Sequence, residues 1–248
     1  MRILGIIPSR FASIRFPGKA LVDIRGKSMV SRVYEQAAKA QHLDQVLVAT
    51  DHEKIFQHLT ELGIPVCMTA RNHRSGTERC YEALNLQPKS YDFVINIQGD
   101  EPFIYPQQID NLAQALTIDT NIATMVKRIH DQQELIDPNT VKAVIGEDRQ
   151  ALYFSRSPLP YKRNQPMNTW IKHHTYYKHL GIYAYSSVAL KKITSLPESD
   201  LEIAEGLEQL RWLAHGLKVE TVVTKLESFG IDTPEDLELA LASKPDLE

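Results

Sequence analysis

Three cations, Arg10, Arg15 and Lys19, are spread along the stretch Pro8-Ser9-Arg10-Phe11-Ala12-Ser13-Ile14-Arg15-Phe16-Pro17-Gly18-Lys19, which follows an apolar run near the N-terminus. Arginine offers a planar fork to phosphate oxygens, lysine a point charge, and Pro-Gly a stiff turn that lets backbone come close to a ligand. Together they describe a polyphosphate site at the carboxyl end of a strand, with a solvated basic loop as the plainer alternative. Asp100 ends a second apolar run beside Gly99, where its carboxylate serves either a hard cation or a turn. Asp232 stands before Pro234, Glu235 and Asp236 and, unaided, reads as a helix cap. Ser75 with Glu78 makes an S-x-x-E capping box.

Other chemistries fail on spacing. No two of the 11 glycines are separated by a single residue, so GxGxxG is absent, and Gly26-Lys27-Ser28 lacks the first Walker A glycine because position 21 is Leu21. HExxH and GxSxG are missing as well. Cys67 and Cys80 form no CxxC pair and suit reduced, structural thiols. A net charge of −3 with mixed signs gives no global field for nucleic acid or an anionic membrane, so any phosphate must be held locally. The longest stretch without Asp, Glu, Lys or Arg is residues 179–190, short of the roughly 18 apolar residues of a membrane span. Residues 3–7 are too short for a signal-peptide core, and the cytoplasm is the expected location.

These residues need a scaffold that delivers loops to one edge. The first half alternates β-branched runs at 3–7, 45–49, 65–68 and 93–97 with helical patterns at 29–41, 53–62, 77–86 and 106–116. That rhythm predicts βαβ units and a mostly parallel sheet. Asp51 is placed to cap the second helix. After residue 120 the spacing turns irregular, with strands expected at 123–127, 141–145, 151–154, 179–185 and 219–223, one helix over 201–215 and a last from Pro234. On the 201–215 pattern Leu207, Leu210 and Leu213 face the core, which leaves Glu208 and Gln209 on a solvated face. The expected fold is α/β, a Rossmann-like open, mostly parallel sheet flanked by helices, with antiparallel insertions in the second half, built as a single domain over 1–248.

The run Ile6-Ile7-Pro8-x-Arg10-x-x-Ser13-x-Arg15-x-Pro17-Gly18-Lys19 closely resembles the signature of the cytidylyltransferases that activate 3-deoxy-D-manno-octulosonate (Kdo). Further blocks resemble that family in order: Ala49-Thr50-Asp51-His52, His73-x-Ser75-Gly76-Thr77-Glu78-Arg79, Asn96-Ile97-Gln98-Gly99-Asp100-Glu101-Pro102, Tyr153-Phe154-Ser155-Arg156, His179-Leu180-Gly181-Ile182-Tyr183, Leu207-Glu208-Gln209-Leu210-Arg211 and Asp232-Thr233-Pro234-Glu235-Asp236-Leu237. Asn72 and Arg74 depart from the acid and amide that often flank the histidine in the family pattern.

The resemblance implies a nucleotide-diphospho-sugar transferase fold, with CTP elements mainly in 1–120 and sugar and dimerisation elements mainly in 121–230. It assigns Arg10, Lys19, Asp100 and Asp232 to catalysis, and Arg10, Arg15, Lys19, Ser75, Gly76 and Gln98 to the nucleotide. It sets Asp100 and Asp232 together as Mg²⁺ ligands, with Thr233 free to take over the cap. It gives Kdo to Arg156 and His179 as cationic or potentially cationic donors, with Tyr183, Glu208 and Gln209. The implied reaction is CTP + Kdo → CMP-Kdo + pyrophosphate, for lipopolysaccharide assembly, by a Mg²⁺-dependent cytoplasmic homodimer. The alternatives are a cytidylyltransferase for another acidic sugar, such as 8-amino-Kdo or a sialic acid, and a non-catalytic nucleotide-binding module.

Overall fold

A computed structural model describes residues 1–12, 16–227 and 229–243. The chain divides into two compact units, Met1–Gln114 with Glu227–Glu248, and Ala115–Leu226.

The first unit opens with β1 (Ile3–Ser9), a small antiparallel hairpin of β2 (Asp23–Ile24) and β3 (Lys27–Ser28), and α1 (Met29–Ala37). It continues through β4 (Gln45–Thr50), α2 (Glu53–Glu61), β5 (Val66–Met68), α3 (Gly76–Asn85), β6 (Phe93–Asn96) and α4 (Pro106–Gln114). Its main strands are all parallel in the order β6-β1-β4-β5. In β1, Ile6 and Ile7 point to opposite faces and are both fully buried, as a strand covered by helices on both sides requires. Winding runs outward from β1 through β4 to β5, then restarts on the other side of β1 with β6. The strand order thus reverses at β1, and a crevice lies at the strands' carboxyl ends there. A Cβ on Gly99 would stand 2.7 Å from the Pro8 carbonyl oxygen, so only glycine allows this approach between the loop after β6 and the end of β1.

Ser75 caps α3, its hydroxyl accepting from the Glu78 amide at 3.3 Å. The cap of α2 differs from the expectation: His52 Nδ1 accepts from the Lys54 amide, while Asp51 turns to Arg79. A buried guanidinium has a stronger claim on a carboxylate than an exposed helix end does.

The second unit holds β7 (Ile122–Arg128), α5 (Gln132–Ile136), β8 (Lys142–Ile145), β9 (Ala151–Ser155), α6 (Trp170–His173) and β10 (Tyr177–Ser186). After these come α7 (Ser187–Ile193), α8 (Asp200–Glu205), α9 (Gln209–Ala214) and β11 (Glu220–Thr224). β11 pairs parallel with β7, whereas β7–β10, β10–β8 and β8–β9 are antiparallel, so antiparallel strands do enter in the second half. The single helix expected over 201–215 is broken in two. Gly206 takes a left-handed φ of 65° and its amide closes on Glu202 O at 2.7 Å, which ends α8. The α7 helix, too short for a periodic signal, was not expected.

The chain then returns to the first unit, where α10 (Pro234–Ser243) follows a segment anchored by buried Ile231. Ile231 and Ala240 pack with Ile24, Met29 and Phe103. Among the described residues no helix is long and apolar enough to cross a membrane.

Candidate active site

The crevice in the first unit is a cavity of about 480 Å³. Arg10 and Lys19 line it from the first loop, Ser75 and Gly76 from the start of α3, Gln98 and Asp100 from the loop after β6, and Asp232 from the segment before α10. Arg15 lies outside the described residues.

Lys19 begins a single 3₁₀ turn, Lys19–Leu21, and its ammonium meets both carboxylates, Asp100 Oδ2 at 2.8 Å and Asp232 Oδ1 at 2.8 Å. Burial alone would lower its pKa, but Asp100 and then Asp232 outweigh that and hold it above the ordinary lysine value. Backbone explains why two acids so far apart in sequence meet: the Ile231 amide donates to the Asp100 carbonyl at 2.9 Å, which sets Asp232 beside Asp100. Asp232 is released from capping because Thr233 Oγ1 accepts from the Asp236 amide at 3.2 Å, and Asp236 Oδ2 accepts in return from the Thr233 amide at 2.9 Å.

The two carboxylates thus converge on one cation position. No group of three or more His, Cys, Asp or Glu side chains is arranged to hold a metal among the described residues. The pair suits Mg²⁺ shared with a ligand, since that ion is usually held by one or two carboxylates together with waters and phosphate oxygens.

The loop between β5 and α3 is shaped by its own helix. Arg79, 4% exposed, donates to Thr69 Oγ1 at 2.6 Å, Ala70 O at 3.2 Å and Asp51 Oδ2 at 2.9 Å. His73 is bonded through Nε2 to Glu82, while its Nδ1 lies 3.7 Å from Glu78. Glu82 also accepts from the Ala70 amide at 2.9 Å, and Glu78 from the Arg74 amide at 2.8 Å. Burial opposes ionisation of Glu82, but the Ala70 amide and His73 prevail and keep its pKa below the ordinary value. Ser75 and Gly76 are therefore presented to the cavity by a loop already held in shape. His73, Arg74 and Arg79 line the cavity too, and sequence reasoning gave them no role. The available signal was Arg79 itself, a cation inside a capping-box helix. Nearby Cys67 stays a thiol, its pKa raised to about 11 by burial and the Glu82 charge.

The residues expected to take a sugar belong to the second unit. Arg156 is pinned, with Nε on Glu205 O at 2.8 Å, Nη1 on Pro138 O at 3.1 Å and its amide on Glu205 Oε2 at 2.9 Å. Ser155 Oγ adds a 2.6 Å bond to the same carboxylate. His179 Nε2 lies 3.0 Å from Thr124 Oγ1, whose proton is directed to the Ile182 carbonyl at 2.8 Å, so the ring donates from Nε2. Although the residue keeps some surface, its ring is enclosed by Phe154 and Tyr183, each with centroids 5.1 Å away. That desolvation lowers its pKa to about 3, and His179 is a neutral donor rather than a potential cation.

Tyr183 stacks on Tyr185 at 5.7 Å and meets the edge of Trp212 at 5.1 Å. Burial first, and then the Glu208 charge, raise its phenol well above the ordinary value. Gln209 is buried and Glu208 half-buried, which corrects the solvated face expected for them. The break at Gly206 shortens α9 to six residues, of which Gln209, Leu210, Arg211 and Trp212 are all buried. His179 and Tyr183 are in ring contact and Glu208 acts on Tyr183, whereas Arg156 is tied to Glu205.

The cytidylyltransferase family pattern matches residues 4–222. The 3-deoxy-manno-octulosonate cytidylyltransferase of Parabacteroides distasonis is 49% identical over 98% of both chains, and that of Bacteroides thetaiotaomicron is 49% identical over 97% of both. A solved CMP:2-keto-3-deoxy-manno-octonic acid synthetase complexed with CTP superposes with a TM-score of 0.91 at 39% identity, covering 99% of each chain. With a cavity that gathers a basic loop, a pre-shaped loop after β5 and paired carboxylates, and with identity of this extent, the chain belongs to the 3-deoxy-manno-octulosonate cytidylyltransferases.

Proposed function

We propose that the chain transfers CMP from CTP to Kdo, releasing pyrophosphate. The observation that carries this reading is the single cavity in which Lys19, the Asp100–Asp232 pair and the Ser75–Gly76 backbone converge. Arg10 and Lys19 bind the triphosphate, and Arg15 belongs to the same basic loop. Ser75 and Gly76 meet the cytosine edge and Gln98 the nucleoside. Arg156, His179, Tyr183, Glu208 and Gln209 bind the sugar acid: Arg156 takes the carboxylate, Tyr183 donates to a hydroxyl, and the neutral His179, whose Nε2 proton goes to Thr124, accepts from one at Nδ1. The C2 hydroxyl attacks the α-phosphorus in line with the departing pyrophosphate. Positioning and fixed positive charge supply most of the acceleration, as in other phosphoryl-type transfers.

Asp100 and Asp232 would hold Mg²⁺, which when bound neutralises phosphate charge and favours ionisation of the attacking hydroxyl. The same reading, resting on the family resemblance, makes the enzyme a cytoplasmic homodimer that serves lipopolysaccharide assembly. The test is pyrophosphate release from CTP with a panel of Kdo, 8-amino-Kdo, N-acetylneuraminate and glucose 1-phosphate. Rapid release with Kdo is expected, little with N-acetylneuraminate, and none with glucose 1-phosphate. Preference for another acid reassigns the sugar, and no release with any of them leaves only nucleotide binding.

A further inference from the structure

An ammonium has three protons to donate and no lone pair. In Lys19 each proton has an acceptor: Asp100 Oδ2 at 2.8 Å, Asp232 Oδ1 at 2.8 Å and the Ile231 carbonyl at 3.1 Å. The side chain is only 16% exposed, against 30% for Asp100 and 44% for Asp232. Two consequences follow from geometry. The point between the carboxylates, where a divalent cation would bind, is already filled by a monovalent one. The ammonium, so committed, has no proton left for a phosphate oxygen. Binding a metal and binding a triphosphate therefore require the same movement, Lys19 leaving the carboxylates. Its four-carbon stem, rooted at the cavity wall, permits that movement.

We propose that Lys19 is the resident counter-ion of the Asp100–Asp232 pair, exchanged for a divalent cation when a triphosphate is present to receive the ammonium. This rests on the nucleotidyltransferase reading above. Metal without nucleotide must push the ammonium into a cavity that offers it no anion. Metal arriving with CTP leaves it a phosphate partner. One side chain thus couples the two ligands, and the coupling is reciprocal, with CTP tightening metal binding by the factor by which metal tightens CTP.

The experiment is a Mn²⁺ titration followed by electron paramagnetic resonance, on wild type, Lys19→Met and Lys19→Arg, each without nucleotide and with saturating CTP. Without CTP, Lys19→Met should bind Mn²⁺ about tenfold more tightly than wild type, equivalent to roughly 1.4 kcal/mol. Lys19→Arg, which restores the cation, should return to weak binding. CTP should tighten Mn²⁺ binding in wild type and do so much less in Lys19→Met. Adding Asp232→Asn to Lys19→Met should remove the tight binding, which places the ion at this pair. A larger Mn²⁺-induced rise in Tm for Lys19→Met than for wild type gives a second readout and shows that the variant is folded. Equal Mn²⁺ affinities of wild type and Lys19→Met, where wild type releases pyrophosphate from CTP and Kdo, overturn the role of Lys19 alone. Absence of both CTP-promoted Mn²⁺ binding and pyrophosphate release in wild type overturns the nucleotidyltransferase reading, and the proposal with it.

Discussion

Ile231 links core packing to the carboxylate pair, and truncating it measures that link. The side chain is fully buried against Ile24, Met29, Phe103 and Ala240, and its backbone bonds to both Asp100 and Lys19. Ile231→Ala should cost about 2–5 kcal/mol, because the transfer term is joined by a cavity the cluster cannot fully close, and Ile231→Val about 0.5–1.5 kcal/mol. For a chain of this size each kcal/mol moves Tm by about 2–4 °C, so the alanine variant should melt about 4–20 °C lower. Of that loss, a share of roughly 1 kcal/mol felt at the carboxylates would raise the Mg²⁺ concentration for half-maximal pyrophosphate release about fivefold. Saturating Mg²⁺ should then restore much of kcat, since no reacting group has been changed. The assays are urea and thermal melts beside Mg²⁺ titrations of pyrophosphate release for the series Ile, Val, Ala. A wild-type Tm in the alanine variant refutes the anchoring, and a lowered Tm with unchanged Mg²⁺ half-saturation refutes its connection to the site.

Three further outcomes are expected. Asp51→Ala strands the buried Arg79 guanidinium without its anion and should cost about 3–5 kcal/mol in urea melts, whereas the loss of an exposed helix cap would cost only about 1 kcal/mol. Because burial holds His179 below its ordinary 6.5, to about 3, the unfolded chain takes up the proton first as pH falls. Its contribution to stability is full above pH 6.5 and is lost progressively below it, so His179→Gln should flatten the difference between melts at about pH 7 and about pH 4.5. Glu205→Gln should loosen Arg156 and Ser155 and raise the KM for Kdo several-fold with little change in the KM for CTP, and equal effects on both would deny Arg156 to the sugar.

Much of the scaffold was readable because its signals are local. The parallel half announces itself through alternating apolar runs and capping residues, and the strand expected at 93–97 appears as Phe93–Asn96. The clearest error over an element came from an equally local cause. The apolar period continues through 201–215, but one glycine in a left-handed turn overrides it and divides α8 from α9. Periodicity counts side chains on a face, and a φ of 65° changes which face they are on. Gln209 was misplaced for this reason, since a six-residue helix that buries four of its side chains has no solvated face of the expected kind.

The site divides along the same line. Types and spacing picked out Asp100 and Lys19, and Thr233 was free to cap in place of Asp232. What no spacing could supply was competition for partners. Asp51 was a helix cap until a buried Arg79 from the next helix claimed it, and His179 was a potential cation until Phe154 and Tyr183 enclosed it. Lys19 was a phosphate ligand until two carboxylates and a carbonyl took its three protons. In each case the residue type states what a group can do, and the charges and desolvation brought by elements distant in sequence decide which of those things it does first. For Lys19 that order is what the proposed exchange turns on, because the ammonium that would receive the phosphate already holds the two acids together.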